Sequence, residues 1–304
     1  MNPPRSAFGA SPPGGRRKRP GEAGSAAAAC SRVAGLLAAY GVLALGAFVM
    51  LLPFYYMMVF ATHTNTAILS VPPPAWFGDH LTENLDDLLA RRPRFWHSMG
   101  LSIWIALAVT GLNLFFCSLA GYAFAMFDFA GKEKFFGFIM ATMLLPAFVS
   151  MIPTVLLMSQ LGWINESRAL IVPAACGAVG VFMMRQYIGS AIPRELVEAA
   201  RMDGCPEFAI YWRVVLPLLG PALGTLALVT FIGSYNNFIG ALLVMRDQDA
   251  YTMPLVLRSL QGTSGITWGA LSAGAAITVL PLLVLFVIYS RRLIDGLTAG
   301  AVKG

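Results

Sequence analysis

Charge is scarce in this 304-residue chain: Asp, Glu, Lys and Arg make up 12% of it, against 57% hydrophobic residues. A soluble globular domain carries roughly 25% charged residues. This composition, with a mean hydropathy of +0.69, therefore excludes an ordinary water-soluble domain and points to a lipid bilayer. Histidine is nearly absent. His63, His80 and His97 show no HExxH or paired spacing, which argues against a metal site. The few cysteines, Cys30, Cys117, Cys176 and Cys205, lack CxxC or metal-ligand spacing and read as small apolar residues. No GxxxxGK[ST] occurs, so the chain has no phosphate-binding loop of that kind and ATP chemistry is not expected in it. The long apolar runs contain no Asp, Glu or Lys and no nucleophile–base set. The first lack argues against proton coupling, the second against a membrane-embedded enzyme.

What is present is a set of apolar segments, each about the 20 residues that a membrane-crossing helix needs. They lie at 34–60, 97–127, 135–158, 169–184, 218–244 and 268–290. An all-α integral membrane protein follows, with a domain over 32–290 built from six such helices. The fourth segment is the weakest, being short and holding Pro173 and Gly177. Pro53, Pro146, Pro153 and Pro281 also fall inside segments, which suits a packed bundle where neighbours satisfy the carbonyls that proline frees. Small residues recur at Gly111, Ser118, Gly121 and Ala125, and again from Gly269 to Ala276, and allow close backbone approach. Spacing alone does not say which neighbour is approached.

Residues 1–31 are rich in Pro, Gly, Ala, Ser and Arg and are expected to form a disordered basic tail. The apolar stretch Val33 to Ala61 is longer than the h-region of a signal peptide, so it reads as an uncleaved first span. Basic residues set the orientation. With the N-terminus inside, 15 of the 21 Lys and Arg fall on the cytoplasmic side, which also puts the tail at 291–304 inside. Arg91, Arg92, Arg94, Arg168, Arg246 and Arg258 fall outside. The net charge of +6 is thus accounted for by membrane orientation and calls for no nucleic acid. The largest external loop, 62–94, includes a candidate short helix at 82–90.

One charged, helix-prone stretch stands between apolar runs: Ile192 to Pro217, IPRELVEAARMDGCPEFAIYWRVVLP. Pro193 suits a first helical turn and Gly204 a helix end, so a helix of about 15 Å is expected over the ten residues Arg194–Asp203. Ile192, Leu196 and Ala199 fall on one face of it, and Glu195, Glu198 and Arg201 on another. Pro206 can start a second helix running through Phe208 and Trp212 to Pro217. By itself this reads as an amphipathic helix at the membrane interface. The order of its residues adds more: Glu198-Ala199-Ala200, two residues, Asp203-Gly204, nine residues, then Val214-x-Leu216-Pro217. That order resembles the EAA loop of ATP-binding-cassette (ABC) importer permeases, with Cys205 where the family commonly has Ala and Val214 where it has Ile.

The resemblance extends from about residue 33 to Gly304 and is closest to the smaller permease of carbohydrate importers of the maltose/maltodextrin type. Ile192-Pro193-x-Glu195-Leu196, Leu216-Pro217-Leu218 with Pro221, and the terminal run Gly296 to Gly304 carry it. The resemblance implies a six-helix permease of a bacterial plasma membrane. It implies a homologous second permease, two ATP-binding subunits that hold ATP and Mg, and an extracytoplasmic solute-binding protein as partners. It assigns Glu198, Ala199, Ala200, Asp203, Gly204, Leu216 and Pro217 to ATPase docking, and brings Lys303 to the ATPase interface. No cofactor is expected on this chain. Polar residues within spans are candidates for lining a sugar pathway, Ser234, Tyr235, Asn236 and Asn237 most of all; helix–helix hydrogen bonding is the alternative for them. A permease for peptides or amino acids, and an ion-coupled secondary transporter, remain as alternative readings.

Overall fold

The computed structural model of the chain describes residues 22–261 and 267–301, with side chains from 35 to 288 except at 147. Every regular element among the described residues is helical. The first, α1 (Glu22–Phe60), forms a unit by itself as far as Tyr55, and a second unit begins at Tyr56. Residues 22–31, expected to be irregular, are helical. Ala26 to Ala29 are the strongest helix formers available and carry the helix back from the apolar segment. Residues 1–21 lie outside the described residues.

In the second unit, α2 (Leu81–Arg91) matches the short helix expected in the external loop. It leads into α3 (Phe95–Met126), whose 32 residues give a rod of about 48 Å. The elements that follow are α4 (Lys132–Thr142), α5 (Met151–Gln160), α6 (Ala178–Ala191), α7 (Arg194–Met202) and α8 (Glu207–Leu218). The chain continues through α9 (Gly220–Tyr235), α10 (Phe238–Val244), α11 (Met253–Leu260) and α12 (Trp268–Ala301). The last helix runs past residue 290 into the stretch expected as a cytoplasmic tail.

Among the described residues, Gly35–Phe60, Phe95–Met126 and Trp268–Ile288 are unbroken helices long and apolar enough to cross a membrane. The other three expected spans are interrupted. The segment 135–158 breaks at Pro146, between α4 and a short 3-10 turn at Ala147–Ser150. The segment 169–184 breaks around Pro173 to Gly177, and 218–244 breaks at Asn236-Asn237. Hydropathy reports composition, and apolar residues continue through the first two breaks and resume at once on the far side of Asn236-Asn237, so mean composition did not reveal the interruptions. In lipid, backbone groups freed at such breaks need protein partners. Asn113 Nδ2 donates to the carbonyl of Ala174 at 3.2 Å, and the Cys117 thiol to that of Gly177 at 3.5 Å. At the third break, Asn237 Oδ1 accepts the N–H of Gly240 at 2.9 Å.

The central element is α3, which contributes to all three buried clusters. Its N-terminal half packs Phe95, Met99 and Ala106 with Leu88, Phe231, Tyr235 and Met253. Ile105 and Val109 join Met158, Leu170, Val244 and Leu255. Toward its C-terminus, Cys117, Tyr122 and Met126 pack with Met184, Ile188, Val197, Tyr211 and Leu219. The small residues now have named neighbours. A Cβ on Gly121 would stand 2.5 Å from Met184 Cβ and 2.9 Å from the Arg185 backbone nitrogen, so α3 and α6 touch through their backbones there. Gly111, by contrast, has open space beside it.

Candidate docking loop

The stretch Ile192–Pro217 is helix, turn, helix. The turn has a complete hydrogen-bonded explanation. Gly204 adopts φ +77, the left-handed region that favours glycine, and a Cβ there would meet no atom within 4 Å. Conformation, not space, calls for glycine. The Gly204 N–H donates to the Arg201 carbonyl at 3.0 Å and the Cys205 N–H to the Ala200 carbonyl at 3.1 Å. These two bonds form a Schellman motif, which satisfies carbonyls that a helix end leaves free. Asp203-Gly204 is therefore the terminator of α7, and Ala200 supplies its outermost carbonyl.

Val197 carries the burial of α7, at 1% exposed, with Ile192 beside it and Ala200 partly covered. Ile192, Leu196 and Ala199, expected on one face, do not share an environment: Ile192 is buried and the other two are not. Leu196, 42% exposed, and Met202, 89% exposed, point away from the body with Ala199 between them. Spaced by three residues, Leu196, Ala199 and Met202 form one apolar stripe on the outer face, flanked by exposed Glu195 and Glu198. Sequence periodicity found an apolar face but not that it is turned outward. Of the Glu-Ala-Ala trio, Glu198 and Ala199 face out and Ala200 faces in.

Charged side chains fasten the inner face. Arg201 Nε donates to Glu207 Oε1 at 2.5 Å, and Tyr122 of α3 donates to Glu207 Oε2 at 2.9 Å. The hydrogen bond from Arg201, with that from Tyr122, holds the Glu207 carboxyl below its ordinary value; partial burial opposes the shift. The guanidinium of Arg201 also lies 5.2 Å from the Phe127 ring centre. Arg194 donates to the carbonyl of Ala125 at 3.2 Å, capping the C-terminal end of α3, and pairs with Asp128 at 3.4 Å. Deeper in, the Tyr211 and Ser118 hydroxyls share a hydrogen bond of 2.8 Å. These partners of α3 were not apparent in the sequence, because nothing local marks a residue some 90 positions away as a neighbour. Glu195, Glu198, Asp203 and Arg213, by contrast, make no ion pair among the described residues.

In α8, a wide i to i+5 turn at Tyr211–Val215 precedes Leu216. Val215 is buried, Val214 and Leu216 pack partly against the same cluster, and Pro217 is exposed. Then α8 meets α9 at 81° across Leu219, so the loop lies nearly crosswise to the apolar helix it feeds. Cys205 is exposed on the turn and Cys176 is exposed as well, whereas Cys117 is buried as expected. No group of His, Cys, Asp and Glu suited to a metal occurs among the described residues. Lys303 lies outside them.

The polar group in mid-span is arranged otherwise. Tyr235 is buried, stacks on Phe231 at 5.9 Å and donates to the Thr278 carbonyl at 3.0 Å, tying α9 to α12. Asn237 caps α10. Ser234 is half-buried and Asn236 exposed, so the four side chains do not form one polar surface.

A multi-pass helical membrane protein with interrupted spans and a helical lever fastened to its core has the architecture of a membrane permease. The chain belongs to the family of binding-protein-dependent transport system inner membrane components, whose family model matches residues 117–297 and so covers the loop. It is similar to an arabinooligosaccharides transport system permease protein of Halalkalibacterium halodurans, at 39% identity over 69% of this chain and 75% of that one. A lactose transport system permease protein of Rhizobium radiobacter is 32% identical over 87% of this chain and 95% of its own length. A trehalose/maltose transport system permease protein of Thermococcus litoralis is 31% identical over 85% of this chain and 93% of its own. Among solved structures, a bacterial ABC transporter involved in the import of the acidic polysaccharide alginate superposes with a TM-score of 0.75 at 23% identity. That match covers 86% of this chain and 97% of the other, and it establishes the fold.

Proposed function

We propose that this chain is the transmembrane permease subunit of an ATP-driven ABC importer for a carbohydrate, working beside a homologous second permease. Two ATP-binding subunits hold ATP and Mg and carry out hydrolysis, and an extracytoplasmic binding protein delivers the sugar. Both chain ends lie in the cytoplasm, as the distribution of Lys and Arg favours. The observation that carries the reading is the outer face of α7. Its apolar stripe, Leu196, Ala199 and Met202, is bordered by Glu195 and Glu198, which make no ion pair among the described residues, on a helix whose other face is locked to α3 and α6. Such a face suits a groove on an ATPase subunit with a basic residue opposite Glu198.

Because Val197, Ile192, Ile210 and Tyr211 share one core with Met184 and Tyr122, displacement of α7 moves α3 and α6 with it. ATP shifts the transporter between inward-open and outward-open only in so far as it binds the closed ATPase dimer more tightly than the open one. The carbohydrate class rests on relatives named for arabinooligosaccharides, lactose and trehalose/maltose. The test is uptake by proteoliposomes holding the whole transporter. ATP-dependent accumulation of a labelled oligosaccharide, abolished by Gly204→Pro, is the expected result. Uptake driven by membrane potential without ATP, or normal uptake by Gly204→Pro, would overturn the reading.

A further inference from the structure

Arg91-Arg92-Pro93-Arg94 joins the C-terminus of α2 to the N-terminus of α3 and plays no part in the docking loop. These residues line a cleft of about 210 Å³ with Ser98, Gln248 and Asp249. Two of the three arginines have carboxylate partners. Arg91 Nε donates to Asp87 at 2.8 Å, and Arg94 pairs with Asp249 at 3.2 Å across an exposed surface. Arg92 has none. Its Nη1 donates to the neutral amide oxygen of Gln248 at 2.9 Å, while its Nε–H is buried with no acceptor. A buried donor without a partner costs about 1–3 kcal/mol, so its persistence asks for an acceptor from elsewhere. The cleft also receives the N-terminus of a 32-residue helix, which favours negative charge. Ser98, buried within that first turn, makes no side-chain hydrogen bond among the described residues.

The depth of the cleft suggests the occupant. It sits at the first turn of a helix long and apolar enough to cross a membrane, whose Trp96 and Trp104 are 59% and 60% exposed, about two turns apart. Exposed tryptophan beside arginine marks the headgroup level of a bilayer. We propose that this cleft binds the phosphate of an anionic phospholipid, with Arg92 as its main ligand. The guanidinium fork suits two phosphate oxygens, and a side-chain adjustment of Arg92 on occupancy brings Nε–H onto one of them.

The experiment uses the assembled, delipidated transporter and measures retained lipid by native mass spectrometry on titration with phosphatidylglycerol or phosphatidylcholine. The wild-type chain is expected to hold phosphatidylglycerol about tenfold more tightly than phosphatidylcholine. Arg92→Gln should lose that preference and Arg92→Lys should keep part of it. Arg246→Gln, which removes the same charge from an exposed site outside the cleft, should leave the preference unchanged. Equal losses from Arg92→Gln and Arg246→Gln, or no preference in the wild type, would overturn the proposal. So would displacement of the lipid by millimolar inorganic phosphate, which would assign the cleft to a free anion.

Discussion

The loop around Glu198 and the mid-span group around Tyr235 are both dense in polar residues, and the chain uses them in opposite ways. In the loop, Arg194 and Glu207 are bonded to α3 and Arg201 to Glu207, while Glu195, Glu198 and Asp203 stand outside with no ion pair among the described residues. In the span, Tyr235 and Asn237 are consumed by the fold, one binding a carbonyl of α12 and the other capping α10. An unpaired charge in water costs little, and an unpaired polar group in lipid costs several kcal/mol. Polarity left over at a lipid-embedded position is therefore rare and needs a use. The contrast teaches that a polar cluster in a span is first a structural requirement, whereas a polar cluster on an outward face is available for a partner.

The largest effect expected on this contrast is at Gly204. Gly204→Pro removes the N–H that bonds Arg201 and fixes φ far from +77, so ATP-driven uptake should fall to background while the chain still inserts. Gly204→Val should fail nearly as badly, and Gly204→Asn should retain much of the uptake because asparagine tolerates the left-handed region. Next comes Glu198→Lys, which reverses an exposed charge that makes no ion pair among the described residues. Uptake should drop more than about tenfold with no change in thermal stability, since an exposed substitution is worth within about 0.5 kcal/mol.

The span should answer in the reverse sense. Tyr235→Phe should lower stability by about 1 kcal/mol through loss of the bond to Thr278 and leave sugar preference unaltered, measured by thermal unfolding and competition uptake. A changed preference would make Tyr235 a pathway residue and weaken the contrast. The smallest effect concerns pH. The Glu207 carboxyl lies below its ordinary 4.5, so its pairing contributes stability above that value that is lost as pH falls through the lowered one. The pair is partly exposed, so this amounts to at most about 1 kcal/mol. Glu207→Gln should flatten the acid limb of thermal stability by that small amount.

How much of this was legible in the sequence varies by element. The segment 97–127 is found as Phe95–Met126, because an unbroken apolar run and an unbroken helix coincide there. The run 218–244 is as apolar, yet breaks at Asn236-Asn237, where the side chain of Asn237 takes over a backbone bond. The turn at Asp203-Gly204 was readable because glycine at a helix end has one common physical reason. The facing of α7 was not: Leu196 and Ala199 form an apolar stripe whether they meet the chain's own core or another subunit. Only burial distinguishes the two, and it selects Val197. The bonds from Tyr122 to Glu207 and from Ser118 to Tyr211 depend on α3 lying beside the loop, which no local pattern encodes.

If the outer face of α7 docks an ATPase subunit, it is covered in the assembled transporter. Met202 lies at the tip of that face, so the direct measurement places a cysteine there in a chain whose own cysteines have been replaced. The assembled transporter is then exposed to a short bifunctional thiol–amine cross-linker. A product combining permease and ATPase subunit is expected, absent when the cysteine is placed at buried Val197 instead. A Met202→Cys chain that reacts freely with a bulky water-soluble thiol reagent in the assembled transporter and yields no such product would contradict it.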